Sequence, residues 1–420
     1  MGLSRRFAYL AAVAFLSLAA VGLAFAAIHR PDELDLHADA IAAAHLLSTP
    51  IASLVDAQRQ QAGARLISLE LPGWFAAVLA QAVALFYFWR SGHAARWRDA
   101  LRARFGSESA VRFVFGATLA LVARVAALIP AFYVWRVDRI MGLSDALTRV
   151  WGYEYVLGTI IGMLVAGFIA AVVLWLVDRT HQWYLYTIAG IIAISLIGTL
   201  VDPYAIAPLF ERYASMQGAL AQEARTFASR EGYPNIPIVV EHRADRIPVD
   251  AAKTQGMGAT QRIVLADTLV VASTPAEIDF YVADQIAKLN DHDPLNLALI
   301  DAAIVIFAAA LAVVLADRIR FRRDDDPISR ITLAAALLSC VYLLAVPIDH
   351  AAVSSMQLRA DREAITMTGD RASAIRAFVR AGDERIEQVC PNALGRILLY
   401  RTPSLGQSAV AVGSATSGCR

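Results

Sequence analysis

The sequence has few charged residues, and this shortage indicates the class of protein. Only 18% of its 420 residues are Asp, Glu, Lys or Arg, whereas 58% are hydrophobic. Soluble globular chains carry about 25% charged and about 45–50% apolar residues. Apolar runs of about 20 residues, each long enough to cross a bilayer, recur along most of the chain. The composition therefore predicts an integral membrane protein.

Lysine and cysteine are also scarce. Lys253 and Lys288 are the only lysines, and the remaining basic residues are arginines beside abundant alanine, which is typical of a GC-rich bacterial genome. The formal net charge of +1 argues against a nucleic-acid partner, which would require a concentrated basic surface. The cysteines Cys340, Cys390 and Cys419 form neither a zinc knuckle nor a disulfide framework. A single bridge between Cys390 and Cys419 would require that the tail lies outside the cytoplasm.

The apolar runs predict seven transmembrane helices by their length. The predicted spans cover residues 8–28, 71–89, 113–135, 155–177, 183–201, 295–316 and 328–348. The first span follows two arginines, as a secretory signal does. Its apolar core lacks a clear small-x-small cleavage site, however, which favours an uncleaved membrane anchor.

The remaining sequence predicts four regions. Residues 1–201 form a five-span membrane region, and residues 294–348 contain spans six and seven. The water-compatible segments 202–293 and 349–420 flank this pair of spans and so emerge on the same side of the membrane. We expect them to pack together as one extramembrane domain. The fold class is therefore a polytopic α-helical membrane protein with an extramembrane α+β domain.

The arginines of the short loops predict the orientation. Counting Lys and Arg on the two faces gives about two to one in favour of the face that carries the N-terminus. This count places the N-terminus in the cytoplasm and the extramembrane domain outside. We expect the membrane to be the bacterial inner membrane.

Two ionisable residues, Arg124 and Asp301, lie inside predicted spans. Such groups face a protein interior or a water-filled cavity, because contact with lipid is costly. The pattern is typical either of a polar chamber or pathway or of a buried structural ion pair. The sequence alone leaves both interpretations open.

The first extramembrane segment has a readable secondary structure. Ala219–Glu231 is amphipathic and predicts a helix, while Ile236–Glu241 and Gln261–Ala266 predict strands. Gly256-Met257-Gly258 marks a turn between them. In Thr274-Pro275-Ala276-Glu277, Thr is the N-cap, Pro takes the first helical position and Glu completes a capping box. The helix that starts here runs toward span six.

Several short motifs follow one another in a characteristic order. They are Pro208-Leu209-Phe210, the segment Gly256–Leu269 with Arg-Ile-Val-Leu-Ala-Asp-Thr-Leu, Glu277-Ile278, Ala360-Asp361 and Tyr400–Leu405. This order resembles the type I CAAX prenyl endopeptidases, integral-membrane zinc metallopeptidases with seven spans that cleave prenylated C-terminal motifs. The resemblance covers nearly the whole chain and implies a zincin-like extramembrane domain. The motifs are specific for the fold and not for activity.

The resemblance also locates the catalytic helix. The family carries H-E-x-x-H there: the two His bind zinc and the Glu polarises the attacking water. In the same register this sequence has Asp284-Gln285-Ile286-Ala287-Lys288. Gln285 cannot act as the general base, and a protonated Lys288 places positive charge where zinc would lie. The family's third ligand, a Glu, corresponds to Gln357.

Further positions of the family's active site are also changed. The resemblance aligns Thr402 with a late His and Ser408 with an Arg. The Asn-Ala-Tyr segment beside the substrate corresponds to Ala251-Ala252-Lys253, which with Gly256-Met257-Gly258 forms the candidate substrate groove. Asp361, which in the family orients a ligand His, is present.

A rebuilt metal site is a weak alternative. Asp284, His292, Asp293 and Asp361 are its candidate ligands, but Asp284 and His292 are about 12 Å apart along a continuous helix. One ion would bind both only if the helix broke near Pro294. We expect instead a solvated acidic segment, no metal site and no zinc cofactor.

These changes favour a catalytically inactive homologue, a pseudoprotease that keeps the chamber. Its expected ligands are a peptide added beside the strand Gln261–Ala266, a lipid tail or a membrane-protein partner. We also expect Lys288 to pair with Asp284 or Asp361. The alternative is an active membrane zinc metalloendopeptidase. A small transporter or channel is a third hypothesis, although no internal repeat or interrupted pair of spans supports it.

Overall fold

The computed structural model describes residues 41–244, 252–319 and 327–418, which are mostly helical. The helices are α1 (Ala43–Leu46), α2 (Ala57–Arg90), α3 (His93–Arg104), α4 (Glu108–Met141), α5 (Thr148–Arg179), α6 (Trp183–Val201), α7 (Ala219–Arg230), α8 (Asp267–Ala272), α9 (Pro275–Asn290), α10 (Asp293–Arg318), α11 (Pro327–Thr368), α12 (Arg371–Glu384), α13 (Ala393–Leu398) and α14 (Leu405–Ala411). The strands are β1 (Arg212–Ser215), β2 (Ile238–His242), β3 (Ala252–Gln255) and β4 (Arg262–Ala266).

Six helices of the described residues are long and apolar enough to cross a membrane: α2, α4, α5, α6 with its continuation to Leu209, α10 and α11. They coincide with six of the seven predicted spans, and the predicted span at residues 8–28 lies outside the described residues. Large apolar side chains such as Ile129 and Leu164 are exposed on these helices, as a lipid environment requires. The predicted fold class is confirmed.

The helices α2, α4 and α11 each contain an internal proline, namely Pro72, Pro130 and Pro347. All three helices continue through it. Neighbouring helices and side chains can satisfy the backbone groups that a proline leaves free in a membrane helix. None of these spans is therefore interrupted as the broken helices of transporters are.

The four strands form one small sheet in the order β1-β2-β4-β3. The strands β2 and β4 are parallel and central, with Val240 opposite Leu265, whereas β1 and β3 pair antiparallel at the two edges. The sequence predicts β2 and β4 but not β1 and β3. Both edge strands are four residues long and mostly polar, so they lack the apolar alternation by which strands are recognised.

The two faces of the sheet differ in polarity because side chains alternate along each strand. Ile238, Ile263 and Leu265 share one face and form the domain core with α7 and α9. Ala364 of α11 and Ala374 of α12 join the same core, so both water-compatible segments contribute to it. The opposite face is polar and looks toward the membrane helices.

The N-terminus of α9 is fixed by two sets of contacts. Thr274 and Glu277 form the predicted capping box, with Thr274 N–H donating to Glu277 Oε2 at 2.7 Å. Glu277 Oε1 also accepts a hydrogen bond from Arg380 Nη2 of α12 at 3.1 Å, and both residues are buried. These contacts hold α9, which carries the candidate site, against the rest of the domain.

The C-terminus of α9 is a sharp break. His292 has φ 57°, in the left-handed region that non-glycine residues seldom adopt, and α10 starts at the next residue. Arg359 of α11 forms ion pairs with Asp291 and Asp293 on the two sides of this break. The break redirects the chain from the domain into the sixth predicted span.

Candidate functional site

The candidate site lies where α9 packs against α11. Asp284 and Lys288 are one helical turn apart on α9 and share a face. Asp284, Gln285 and Asp361 are 4%, 1% and 1% exposed. The sequence therefore places strongly polar side chains in an environment that excludes most water, where each requires a partner.

Asp284 is the centre of the hydrogen-bond network. Its Oδ2 accepts from Lys288 Nζ and from Gln285 Nε2, each at 2.7 Å, and its Oδ1 accepts from Gln357 Nε2 at 2.9 Å. Gln357 Nε2 also donates to Asp361 Oδ1 at 2.8 Å. The carboxylate of Asp284 is thus satisfied by protein donors on both oxygens.

Two positions near the end of the chain, which the family resemblance aligns with active-site residues, lie in different surroundings. Ser408 is buried and lies beside Asp361, so α14 contributes to the cluster. Thr402 is half-buried in the bend before α14. Within the described part of the chain, no hydrogen bond links the Thr402 side chain to Asp284 or Asp361.

The side chains of this cluster do not fit a zinc ion. Zinc takes lone pairs from thiolates, imidazoles and carboxylates, whereas the ammonium of Lys288 and the donor amides of Gln285 and Gln357 have none to offer on those atoms. Among the residues that the structure describes, no group of three or more His, Cys, Asp or Glu side chains is arranged to hold a metal ion.

Of the four candidates for a rebuilt metal site, Asp284 and Asp361 lie close together, whereas His292 and Asp293 lie apart from them. His292 is exposed and lines a separate pocket that also contains Tyr233. Asp293 is buried and engaged by Arg359. The helix does break beside Pro294, but His292 is exposed there whereas Asp284 is buried.

A cavity of about 570 Å³ opens beside the cluster. It is lined on one side by Gln285, Lys288 and Gln357, and on the other by β3 and Gly256. Three of the groove candidates, Ala252, Lys253 and Gly256, thus face three of the changed catalytic positions. We call this space the site cavity.

The other groove candidates lie elsewhere. Met257 and Gly258 line a neighbouring pocket of about 530 Å³. Ala251 lies outside the described residues. The predicted turn is present, since Gly256 has φ 81° and a Cβ there would lie 2.2 Å from the carbonyl oxygen of Thr260.

Lys253 is held by two carboxylates that the sequence analysis missed. Its Nζ lies 2.9 Å from Glu211 Oε2 and 2.9 Å from Glu241 Oε2. Burial alone would raise the pKa of Glu211, but hydrogen bonds from Tyr213 and Lys253 outweigh it and hold that pKa below its usual value. The signal available in the sequence was the rarity of lysine, because both lysines line the site cavity.

The same network continues across the polar face of the sheet. Gln255 donates to Tyr213 Oη at 3.1 Å, and Arg262 donates to Gln255 Oε1 at 2.7 Å from Nη2. Arg262 also lies 4.1 Å above the Tyr213 ring. Burial and the hydrogen bond to Glu211 raise the pKa of Tyr213, so its hydroxyl stays protonated.

The two intramembrane ionisable residues have different surroundings. Asp301 lines the site cavity and lies beside Asp349, which pairs with Arg401 at 2.9 Å. Arg124 instead packs 4.4 Å above the ring of Tyr155 between α4 and α5. Asp301 therefore agrees with the polar-chamber interpretation and Arg124 with a structural one, and the two do not pair with each other.

The two cysteines among the described residues differ in their bonding state. Cys340 is a free, exposed thiol in α11, and Cys390 is disulfide-bonded. Cys419, its predicted partner, lies outside the described residues.

Comparisons with known proteins agree with this architecture. Residues 73–212 match the family model of the CAAX prenyl protease N-terminal region, described as having five membrane helices. An uncharacterized metalloprotease of Bacillus subtilis, YhfN, is 23% identical over 304 residues, which cover 70% of this chain and 71% of the relative.

Two yeast proteins are also similar. The chain is 23% identical to CAAX prenyl protease 1 of Saccharomyces cerevisiae over 161 residues, 38% of this chain and 36% of the relative. The crystal structure of S. mikatae Ste24p superposes with a TM-score of 0.66 at 18% identity and covers 78% of this chain and 82% of that one, which shows a shared fold. The chain is therefore similar to the CAAX prenyl proteases in its N-terminal membrane region and shares the fold of Ste24p.

Proposed function

We propose that this protein is a catalytically inactive member of the family, which binds a ligand in its chamber without hydrolysing it. The observation that carries the proposal is the 2.7 Å ion pair between Lys288 and Asp284 on α9. It places a protonated amine in the register of the second histidine of H-E-x-x-H. A fixed positive charge at this point repels a dication and neutralises the carboxylate that remains.

The position of the general base supports the same conclusion. Gln285 replaces the glutamate, and its amide nitrogen already donates a hydrogen bond to Asp284 Oδ2. Its carbonyl oxygen is buried without a hydrogen-bond partner in the described residues. An amide does not take up a proton at neutral pH, so it cannot activate water as a carboxylate does.

The ligand that the site cavity fits best is an extended peptide along β3. The sequence analysis expected strand addition beside Gln261–Ala266, but β4 is hydrogen-bonded to β2 and β3 on both sides and has no free edge. In the described sheet, β3 is an edge strand. All four of its residues line the cavity, so the cavity follows the edge of the strand, where a peptide can add main-chain hydrogen bonds.

The direct test is the metal content of the purified protein, measured by elemental mass spectrometry in detergent. We expect zinc near zero per chain and no cleavage of a prenylated reporter peptide. The matched control rebuilds the motif with four substitutions in the same chain: Asp284→His, Gln285→Glu, Lys288→His and Gln357→Glu. This variant should gain zinc. About one zinc per wild-type chain with metal-dependent cleavage would instead establish the active zinc metalloendopeptidase.

Peptide binding is tested separately with a fluorescent prenylated peptide and fluorescence anisotropy. Strand addition uses alternate backbone amides. N-methylation of successive amides of the probe should therefore weaken binding with a period of two residues. Equal affinity of every methylated probe would exclude strand addition while leaving the absence of catalysis untouched.

We also propose that the N-terminus lies in the cytoplasm and the extramembrane domain outside, in a bacterial inner membrane. The arginine count of the short loops supports this orientation.

A further inference from the structure

The helix α3 lies at the end of the membrane bundle that is remote from the extramembrane domain. Arg59, near the start of α2, pairs with Asp383 of α12 at 3.3 Å, so the start of α2 lies at the domain. The other end of α2, at Arg90, is about 45 Å away along the helix. Since α3 connects this end to the start of α4 at Glu108, both of its ends are tied to membrane helices.

Two contacts hold α3 beside the first turns of α4. Trp97 Nε1 donates to Thr118 Oγ1 at 3.1 Å, and Arg102 Nη2 donates to Glu108 Oε1 at 2.7 Å. Thr118 belongs to the predicted span 113–135, whereas Glu108 precedes it. The helix α3 therefore lies beside the boundary of this apolar span, where the headgroups of a bilayer meet its hydrocarbon core.

Exposed aromatic side chains gather at the same end of the bundle. Arg112 of α4 pairs with Asp178 of α5, so the end of α5 and the start of α6 also lie here. The exposed rings are Tyr87 of α2, Trp97 of α3, Phe105 directly after α3, Trp175 of α5 and Tyr184 of α6. Tryptophan and tyrosine are enriched at the level of the lipid headgroups. The rings therefore support the same level for α3.

The two faces of α3 differ in character. Ala94 and Leu101 are buried in a core cluster that includes Phe115 of α4. Arg96 and Arg104 are exposed. Because the apolar face is fixed to the bundle, the arginines of the other face keep a defined position relative to the membrane helices.

Three arginines at this end of the bundle have no acidic partner. Arg90, at the end of α2, is exposed, as are Arg96 and Arg104. None of the three forms an ion pair within the described part of the chain. Their guanidinium groups remain charged at all physiological pH values, so they form a fixed positive patch. We call Arg90, Arg96 and Arg104 the arginine patch.

Other arginines already match the carboxylates at this end of the described chain. The pairs are Asp99 with Arg98, Glu108 with Arg102 and Asp178 with Arg112, while Asp317 at the end of α10 is followed directly by Arg318. The charge of the arginine patch is therefore not cancelled by these neighbours.

We propose that the arginine patch binds the headgroups of anionic phospholipids. Guanidinium groups donate paired hydrogen bonds to phosphate oxygens, and each arginine near a membrane surface is attracted by anionic lipid. The exposed rings of Trp97 and Phe105 lie beside the patch and contact the apolar part of the lipid. A soluble anion would leave these rings without a partner, so a lipid fits the surface better. The inference does not depend on whether the protein is catalytically inactive.

The test is native mass spectrometry of the full chain in detergent, with phosphatidylglycerol and phosphatidylcholine of the same acyl chains added in equal amounts. We expect the wild type to retain about tenfold more phosphatidylglycerol. The preference should fall as the ionic strength rises, because exposed charges are screened by salt. Equal retention of the two lipids at low ionic strength would overturn the proposal.

A soluble competitor distinguishes the lipid from a free anion. Glycerol 3-phosphate carries the phosphate without acyl chains, and a large excess should leave the bound phosphatidylglycerol in place. Its displacement by glycerol 3-phosphate would overturn the assignment to a lipid and identify a site for a soluble phosphate.

Variants locate the binding site. The triple variant Arg90→Gln, Arg96→Gln and Arg104→Gln should reduce the preference for phosphatidylglycerol to about twofold or less. The matched control carries Arg230→Gln, Arg362→Gln and Arg371→Gln, which remove the same charge from exposed positions of the extramembrane domain and should keep the preference. Equal losses in the two triple variants would overturn the assignment to α3. Arg96→Gln alone replaces the first triple variant if that one does not fold, with an expected loss of about threefold.

Discussion

At the scale of single residues, the charge of the candidate site depends on Lys288. Its ammonium is the cation that contacts Asp284, and Asp361 lies on the other side of the shared Gln357 amide. Without Lys288, Asp284 would keep only neutral amide donors in a buried position. The lysine therefore has a structural role in the candidate site.

Replacing Lys288 with alanine should lower the free energy of unfolding by about 3 kcal/mol, because it leaves a buried carboxylate without its cation. Lys288→Ala combined with Asp284→Asn should recover most of this loss, since the uncompensated charge is gone. Thermal melts in detergent measure both. The control is Arg230→Ala, which breaks an exposed ion pair with Glu231 and should change stability by less than about 0.5 kcal/mol. An unchanged melting temperature in Lys288→Ala would contradict the structural role.

Glu211 predicts a dependence of stability on pH. Its pKa is lower in the folded protein than its usual value of 4.5, so its contribution to stability is complete above that value and is lost as the pH falls through the folded pKa. Between pH 6 and pH 3.5 the melting temperature of the wild type should therefore fall more than that of Glu211→Gln. Parallel melting curves of the two proteins would show that the contacts of Glu211 with Lys253 and Tyr213 do not stabilise the fold.

At the scale of elements, the position of α9 depends on its buried N-terminal contacts. Arg380→Ala leaves the fully buried Glu277 without its ion pair and should cost about 3–5 kcal/mol. Glu277→Gln keeps an acceptor for the cap and should cost less. The exposed Arg362 on α11 provides the control, because Arg362→Ala removes only a hydrogen bond to its own helix. Chemical denaturation with equal losses in Arg380→Ala and Arg362→Ala would argue against this role.

The turn between β3 and β4 allows a paired glycine test. Gly256 and Gly258 both have positive φ. A Cβ added at Gly256 would collide with the backbone of Thr260, whereas a Cβ added at Gly258 would have no heavy atom of another part of the protein within 4 Å. Gly258→Ala should cost about 1 kcal/mol, and Gly256→Ala distinctly more because the turn must also shift. Denaturant melts of the two variants provide the comparison. Equal losses would mean that β3 moves freely relative to β4.

The elements show where sequence patterns are informative. The capping box of α9 and the strands β2 and β4 were predictable, because caps and buried apolar strands carry local signals. The edge strands β1 and β3 were not, since their polar residues gain strand structure only from pairing with β2 and β4. Consequently the free edge beside the site cavity was assigned to the wrong strand.

At the scale of the whole molecule, the proposed orientation can be tested by cysteine labelling. Ser229→Cys places a thiol on exposed α7 of the domain, and Gly106→Cys places one in the exposed loop before α4. In intact spheroplasts, a membrane-impermeant maleimide should label Ser229→Cys, and it should label Gly106→Cys only after lysis. The wild type, with the free Cys340, is the background control. The reverse pattern would place the domain in the cytoplasm.

The sequence by itself determined that this is a polytopic membrane protein and where six of its spans lie. These properties follow from composition and from the length of apolar runs, both of which are local. Only the tertiary structure decided that Lys288 neutralises Asp284, that β3 is the free edge and that three tryptophans and five carboxylates line one cavity. Such arrangements join residues far apart in the chain, and the packing of helices against the sheet sets their distances and burial.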